Sequence, residues 1–167
     1  MFDGARLEQP SPSVWADLGS GDGTFTLALA DRLAPGSTIH AIDRDRAALE
    51  QLKSSSRGVR IETHVADFTR AWPIDDPLDG ILMANSLHFV RDQESFLRKM
   101  TKRLTAQGRF LIVEYDKTFP NPWVPHPLNA KALPELFEAV GFTRCQMLGT
   151  RPSSYQRGRI YAALLTP

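Results

Sequence analysis

The segment Asp17-Leu18-Gly19-Ser20-Gly21-Asp22-Gly23 sets glycines at alternate positions between an apolar run and a helical pattern. Glycine at such a bend permits positive φ and lets a ligand lie against bare backbone, beside the N–H groups of a helix N-terminus. A second carboxylate, Asp43, stands about twenty residues beyond Gly23, where the next strand should end. One carboxylate there can accept hydrogen bonds from both hydroxyls of a ribose. Loop and carboxylate together are directed at an adenosine. Two ligand classes compete for it. A dinucleotide asks for G-x-G-x-x-G, but Thr24 occupies the third glycine position, although Gly23 adjoins it. Charge weighs more. Asp17 and Asp22 bracket the loop and would repel a pyrophosphate, whereas they complement the ammonium and sulfonium of S-adenosylmethionine.

These residues need a scaffold that delivers them to one place, and the apolar pattern supplies it. Val14 to Leu18 reads as a short buried strand, and Phe25, Ala28, Leu29 and Leu33 recur at helical spacing before Pro35-Gly36-Ser37 stops the helix. Thr38 to Ile42 is a second strand ending at Asp43, and Asp45 can cap a short helix carrying Ala48, Leu49 and Leu52. Ser54 to Gly58 is loop-like, and Val59, Ile61, Thr63 and Val65 alternate as a third strand. Pro73 and Pro77 bracket a loop before a fourth strand, Leu78 to Ala84. Phe96, Leu97, Met100 and Leu104 predict a helix closed by Gln107-Gly108, and Phe110 to Val113 has the apolar character of a central parallel strand. Pro120, Pro122, Pro125 and Pro127 rule out regular helix or central strand, leaving an ordered surface loop. Asn129 can cap a helix with Leu133, Leu136, Phe137 and Val140 on one face and Gly141 at its end. Pro134 there either sits at a later first position or distorts the opening turn. Thr143 to Leu148 and Arg159 to Leu165 can pair as an antiparallel hairpin. The alternation predicts an α/β fold: a doubly wound, three-layer sheet of seven strands, mostly parallel, with the antiparallel hairpin at the C-terminus.

Composition narrows the function classes. A length of 167 residues predicts a single domain, 1–167, with a short leader expected over 1–13. A formal charge of +1, with 42% hydrophobic and 23% charged residues, suits a globular protein with no nucleic acid to neutralise. Cys145 is the single cysteine, so no intramolecular disulfide forms, which favours a reducing compartment; cytoplasmic is the expected location. No stretch of about 18 apolar residues occurs, and no membrane partner is expected.

On these motifs the sequence resembles the class I (Rossmann-like) S-adenosylmethionine-dependent methyltransferases, in particular the small-molecule branch that includes ubiquinone/menaquinone-biosynthesis-like enzymes. Asp17-x-Gly19-x-Gly21-x-Gly23 is similar to that family's first motif, which implies that Asp17, Gly19, Ser20, Gly21 and Gly23 hold the methionine end of the cofactor. The resemblance assigns Asp43 to the ribose and Arg44 to the adenine side. Ala66-Asp67-Phe68 is similar to the segment after the third strand, implying an acidic contact to the adenine amino group and an apolar cover for the ring. Asn85-Ser86-Leu87-His88-Phe89-Val90 is similar to the stretch after the fourth strand, where the family places cofactor contacts, here Asn85, and the substrate entrance. Leu104-x-x-x-Gly108-Arg109-Phe110-Leu111 and Glu138-Ala139-Val140-Gly141-Phe142 match later landmarks. Many members carry a longer N-terminal segment over the substrate; here a homodimer partner or another chain could cover a more open site. The resemblance implies a methyltransferase acting on a small molecule. The alternatives are an NAD-dependent oxidoreductase and a catalytically silent cofactor-binding module that serves as a partner or regulatory subunit.

Methyl transfer from a sulfonium donor needs positioning more than acid catalysis, and a base helps where the acceptor arrives protonated. His88 is the candidate base and substrate-binding residue by position; its other reading is a packing histidine in a helix-opening loop. Tyr115, just beyond the fifth strand, can line the acceptor pocket or serve as an interfacial aromatic. His40, His64 and His126 show no metal-ligand spacing along the chain, so no metal is expected. Asn121-Pro122-Trp123 is similar to part of an Asn-Pro-Pro-aromatic N-methylation motif but follows the wrong strand. Arg144, Arg151, Arg157 and Arg159 read as solvated arginines, with an anionic acceptor or acidic partner as the alternative, and Cys145 as inert packing.

Overall fold

Apolar runs bounded by turn residues fold as strands, and the computed structural model describes residues 11–153 and 158–167. Eight strands form: β1 (Val14–Leu18), β2 (Thr38–Asp43), β3 (Ser55–Ser56), β4 (Val59–Val65), β5 (Leu78–Ala84), β6 (Leu104–Tyr115), β7 (Arg144–Pro152) and β8 (Arg159–Thr166). They make one sheet in the order β3-β4-β2-β1-β5-β6-β8-β7. The five strands from β4 to β6 in that order run parallel, and β3, β8 and β7 are antiparallel to their neighbours. Strand order reverses direction at β1. A crevice therefore opens beyond the carboxyl ends of β1 and its neighbours.

Period-two alternation explains why helices cover both faces. Ile81, Met83, Phe110 and Ile112 pack on one face with Phe96 and Leu97 of α3 (Gln93–Thr101) and Phe137 of α4 (Leu133–Glu138). Leu82, Ala84, Leu111 and Val113 face the other way, with Leu29 and Ala30 of α1 (Thr24–Ala30). Leu49 of α2 (Arg46–Leu49) packs on Ala41 and Ile61, and Asp45 caps that helix through the amides of Ala47 and Ala48. The three-layer α/β architecture is the one the alternation predicts. Residues 66–77, between β4 and β5, cross without a helix.

Several elements differ from the sequence reading: α1 ends at Ala30 and α2 at Leu49, short of Leu33 and Leu52, and β7 runs on to Pro152 instead of ending at Leu148. The sheet has eight strands, not seven, because Arg57 (φ 50) and Gly58 (φ 79) turn the chain so tightly that Ser55–Ser56 pairs back on Arg60 and Val59. Nothing apolar marks that strand. Leu104 opens β6 instead of extending α3, since it pairs with Leu78, and an irregularity then absorbs Thr105–Gly108 before Gly80 meets Arg109. Pro134 takes the second position of α4, without distorting it, and Asn129 closes the turn ahead of the helix by accepting from the Lys131 and Ala132 amides.

The proline-rich segment is an ordered loop: the Asn121 side chain accepts from the amides of Trp123 and Val124, and Val124 is fully buried. The Tyr161 hydroxyl ties the same segment to the sheet by donating to the Leu128 carbonyl at 2.9 Å. The C-terminal hairpin β7–β8 is antiparallel as expected. Most of the leader, residues 1–10, and Arg157 lie outside the described residues. Among the described residues no helix is long and apolar enough to cross a membrane.

The centre of the sheet contains one uncompromising contact. Gly80 pairs with Trp15, and a Cβ at Gly80 would fall 2.4 Å from two atoms of the buried indole. Gly80→Ala should therefore lower stability by about 1–3 kcal/mol, read as a lower urea midpoint with an unchanged slope. Adding Trp15→Phe to that variant should cost less than the two single changes summed.

Candidate active site

The loop after β1 is shaped by the end of β2. The amides of Gly19 and Ser20 both donate to the Ile42 carbonyl, at 2.8 and 3.1 Å, and the Gly21 amide donates to Asp43 Oδ2 at 2.8 Å. Asp43 Oδ1 accepts from the Asp45 amide at 2.9 Å, so one carboxylate ties the loop to the start of α2. Gly23 (φ 88) is needed for packing, because a Cβ there would lie 1.9 Å from Leu52 Cδ1. Gly21 differs: an added Cβ would meet nothing within 4 Å. Its outer side faces open space.

That space is a cavity of about 520 Å3, within the range of small-molecule sites. Gly19 and Gly21 line it from β1, Asp43 and Arg44 from β2, Ala66, Asp67 and Phe68 from β4, and Asn85 from β5. Eight residues singled out from sequence thus meet at one crevice. The structure adds Asp45, Ala48, Thr69, Arg70, Ser86 and Phe89. The signal for these was adjacency, since each lies within a few residues of a strand end already identified.

The groups differ in electrostatic state. Asp67 accepts from the Thr69 hydroxyl at 2.6 Å and the Thr69 amide at 2.9 Å, and these bonds, with Arg70 and Arg44 nearby, hold its carboxyl below the usual range. Phe68 packs edge-on against Phe96, with centroids 5.8 Å apart. Asn85 has φ 54, its amide donates to the Val113 carbonyl, and its buried Oδ1 has no partner; the Ser86 hydroxyl is likewise unpartnered. Buried polar atoms of this kind at a cavity wall are suited to a ligand that brings its own donors.

Asp17 lies apart from the lining. It is fully buried, its Oδ2 accepts from the Thr26 hydroxyl of α1 at 2.6 Å, and Oδ1 has no partner. Burial pushes its carboxyl up to about 7, with the nearby Asp43 adding to the rise and the Thr26 bond opposing it. Ser20 and Gly23 also stand outside the lining.

His88 and Tyr115 are not brought to the cavity. His88 sits in a 3-10 turn, Leu87–Phe89, and is 2% exposed. Its Nδ1 is 2.7 Å from Oε2 of the fully buried Glu114, and its amide donates to Glu114 Oε1 at 3.2 Å. Tyr115 is buried against the His88 ring, with centroids 5.8 Å apart. Glu114, which sequence reasoning missed, anchors the turn whose last residue, Phe89, and preceding residue, Ser86, line the cavity. His40 and His64 lie together on adjacent strands, although no spacing along the chain joins them.

The donor set fits S-adenosylmethionine: carboxylates for an ammonium and for ribose hydroxyls, an aromatic flank for a purine, and bare backbone at Gly21. No curated protein matches the chain by sequence. Among solved structures, the chain is similar to an arsenic(III) S-adenosylmethionine methyltransferase from Chlamydomonas reinhardtii, at 16% identity and TM-score 0.69, over 92% of this chain and 62% of that one. It therefore spans less than two thirds of the algal enzyme. It is also similar to Burkholderia thailandensis 1,6-didemethyltoxoflavin-N1-methyltransferase, at 21% identity and TM-score 0.68, covering 93% of this chain and 71% of that one. A third is a SAM-dependent methyltransferase from Methanosarcina mazei, at 15% identity and TM-score 0.70, over 95% and 93%. At such identities the likeness is one of fold. Residues 13–150 match the Methyltransf_31 family, described as a methyltransferase domain. With most of its length inside that family, the chain belongs to the class I, S-adenosylmethionine-dependent methyltransferases, and the dinucleotide reading of its glycine loop is set aside.

Proposed function

We propose that the chain transfers a methyl group from S-adenosylmethionine to a small-molecule acceptor, as in the ubiquinone/menaquinone-biosynthesis-like branch it resembles. The observation that carries this reading is the opening of four strand ends, at Gly19–Gly21, Asp43, Asp67-Phe68 and Asn85, onto one cavity of about 520 Å3. Two structural neighbours are named for small acceptors, arsenic(III) and 1,6-didemethyltoxoflavin, which supports the acceptor class.

The cofactor supplies an electrophilic methyl group on a sulfonium that leaves as a neutral thioether, so no general acid is required. Asp43 binds the ribose: each oxygen already accepts one backbone amide, and a carboxylate has lone pairs left for two hydroxyls. Asp67 takes the adenine amino group, and Phe68 and Arg44 flank the ring. The open side of Gly21 receives the methionine end, and Asp17, buried behind the loop and outside the cavity lining, supplies a negative charge that the ammonium complements through the protein. His88 and Glu114 act as positioning residues, holding the turn that presents Ser86 and Phe89 at the substrate entrance. A base role for His88 requires its second ring nitrogen to reach the acceptor.

Calorimetric titration with S-adenosylhomocysteine should show one bound ligand per chain, and Asp43→Ala should weaken it about 10–100-fold, the worth of hydrogen bonds to a charged group. No binding by the folded protein at millimolar ligand would sink the reading. Release of S-adenosylhomocysteine with a panel of small phenols, heteroaromatic amines and soft thiol or arsenic nucleophiles tests the acceptor class. Transfer confined to protein or nucleic acid would overturn it.

Asp17 gives a pH signature. Its folded pKa of about 7 lies above the ordinary value of 3.8, so between these the unfolded chain loses its proton first. Stability without ligand therefore falls as pH rises from about 4 to about 7, and then levels off. Asp17→Asn removes this loss, so the unliganded variant should gain up to about 4 kcal/mol over the parent at pH 8, and much less at pH 5. Urea unfolding at the two pH values checks this. Affinity for S-adenosylhomocysteine should rise with pH through about 7 in the parent and stay weak and flat in the variant.

A further inference from the structure

Strand pairing assembles a second cluster outside the cofactor crevice. His40 of β2 stands directly opposite Glu62 of β4, and His64 lies two residues further along β4, on the same face. His40 Nδ1 is 3.0 Å from His64 Nε2 and 3.6 Å from Glu62 Oε2, and the three ligand atoms all lie within 4.8 Å of one another. Two ligands bound to Zn2+ at about 2.0–2.1 Å and a tetrahedral angle stand roughly 3.3 Å apart. The observed separations bracket that value.

We propose that His40, Glu62 and His64 bind one divalent transition cation of the zinc type, with a fourth position open to water. Two imidazoles and one carboxylate form a donor set that prefers zinc to calcium or magnesium. Glu62 uses Oε1 to pair with Arg60, leaving Oε2 toward His40. His40 is 4% exposed, while the Glu62 side chain is 40% exposed, so the ion enters from the solvent side.

A second observation comes from the far side of the His40 ring. Its Nε2 is buried with no hydrogen-bond partner, and the exposed Asp76 holds Oδ2 3.7 Å away. A small rotation of Asp76 makes Nε2–H its donor, which fixes the tautomer that turns a lone pair on Nδ1 toward the ion. Carboxylates behind ligating histidines do this in metal sites generally. Residues 66–77 run without a helix, Ile74 joins the core cluster that contains Ile42, and Asp76 reaches His40. The ion clips β2 to β4, whose carboxyl ends carry Asp43 and lead to Asp67.

The test uses the whole chain, stripped with a chelator and titrated with Zn2+ in competition with a chromophoric chelator. One ion per chain with a micromolar or tighter Kd is expected, and His64→Ala should weaken binding at least about tenfold. Glu62→Gln, which keeps side-chain size, should do the same, and His126→Ala should not. Co2+ in the unaltered chain should give the strong visible bands of four-coordinate geometry, lost in His64→Ala. Absence of binding by the unaltered chain, or affinity kept in both His64→Ala and Glu62→Gln, overturns the site. Circular dichroism identifies a variant that has merely failed to fold, and the other then decides. S-adenosylhomocysteine binding is measured separately, so failure of the metal site leaves the methyltransferase reading standing.

Discussion

The Asp43 carboxylate spans the gap between two strand ends, and the candidate active site depends on that bridge. Its Oδ2 takes the Gly21 amide and its Oδ1 takes the Asp45 amide, while the Ile42 carbonyl before it receives the amides of Gly19 and Ser20. Parallel strands present their ends side by side but leave those terminal amides without ladder partners. Here the end of β2 supplies the partners for β1. The glycine loop is thereby held open instead of closing over the crevice, and the carboxylate that orders it also lines the cavity. Loop support and cavity wall are one group, so a change at Asp43 acts on both.

Asp17 is the opposite case. A carboxylate with no solvent exposure and one unpartnered oxygen destabilises the unliganded fold, since desolvation opposes ionisation and the Thr26 hydroxyl only partly compensates. Its neighbours in β1 are the buried apolar residues Trp15, Ala16 and Leu18, any of which shows what packing alone would choose. A cationic ligand recovers what burial costs. On the proposed reading, binding and ionisation are linked, and a zwitterionic amino-acid moiety is favoured over an anionic one.

What the sequence displays depends on whether the determining interactions are local. β1, β4 and β5 fall where their apolar runs begin and end, Val14–Leu18, Val59–Val65 and Leu78–Ala84, because continuous burial or strict alternation is written into adjacent residues. Once those strands and β2 are located, Asp43, Asp67 and Asn85 fall at or just beyond strand ends of one sheet, and their convergence follows from topology. β3 was not visible, since Ser55 and Ser56 carry no periodicity and owe their pairing to the turn at Arg57 and Gly58. Depth was not visible either. Nothing near Asp17 or His88 in the chain says that one carboxylate is enclosed by core or that Glu114, 26 residues beyond His88, reaches its ring.

The histidine pair extends that argument. Metal-ligand spacing along a chain reflects ligands on one helix or one loop, where a few residues bring side chains onto one face. Between parallel strands the separation is set by the crossover, so His40 and His64 meet at a sequence separation of 24, with α2 and β3 between them. Register decides the outcome: a one-residue slip of β4 against β2 would turn Glu62 and His64 to the opposite face, toward α2. The alternation that buries Val59 and Ile61 forbids the slip. The hydrophobic pattern of β4 therefore sets the geometry of a polar cluster to which it contributes no atom.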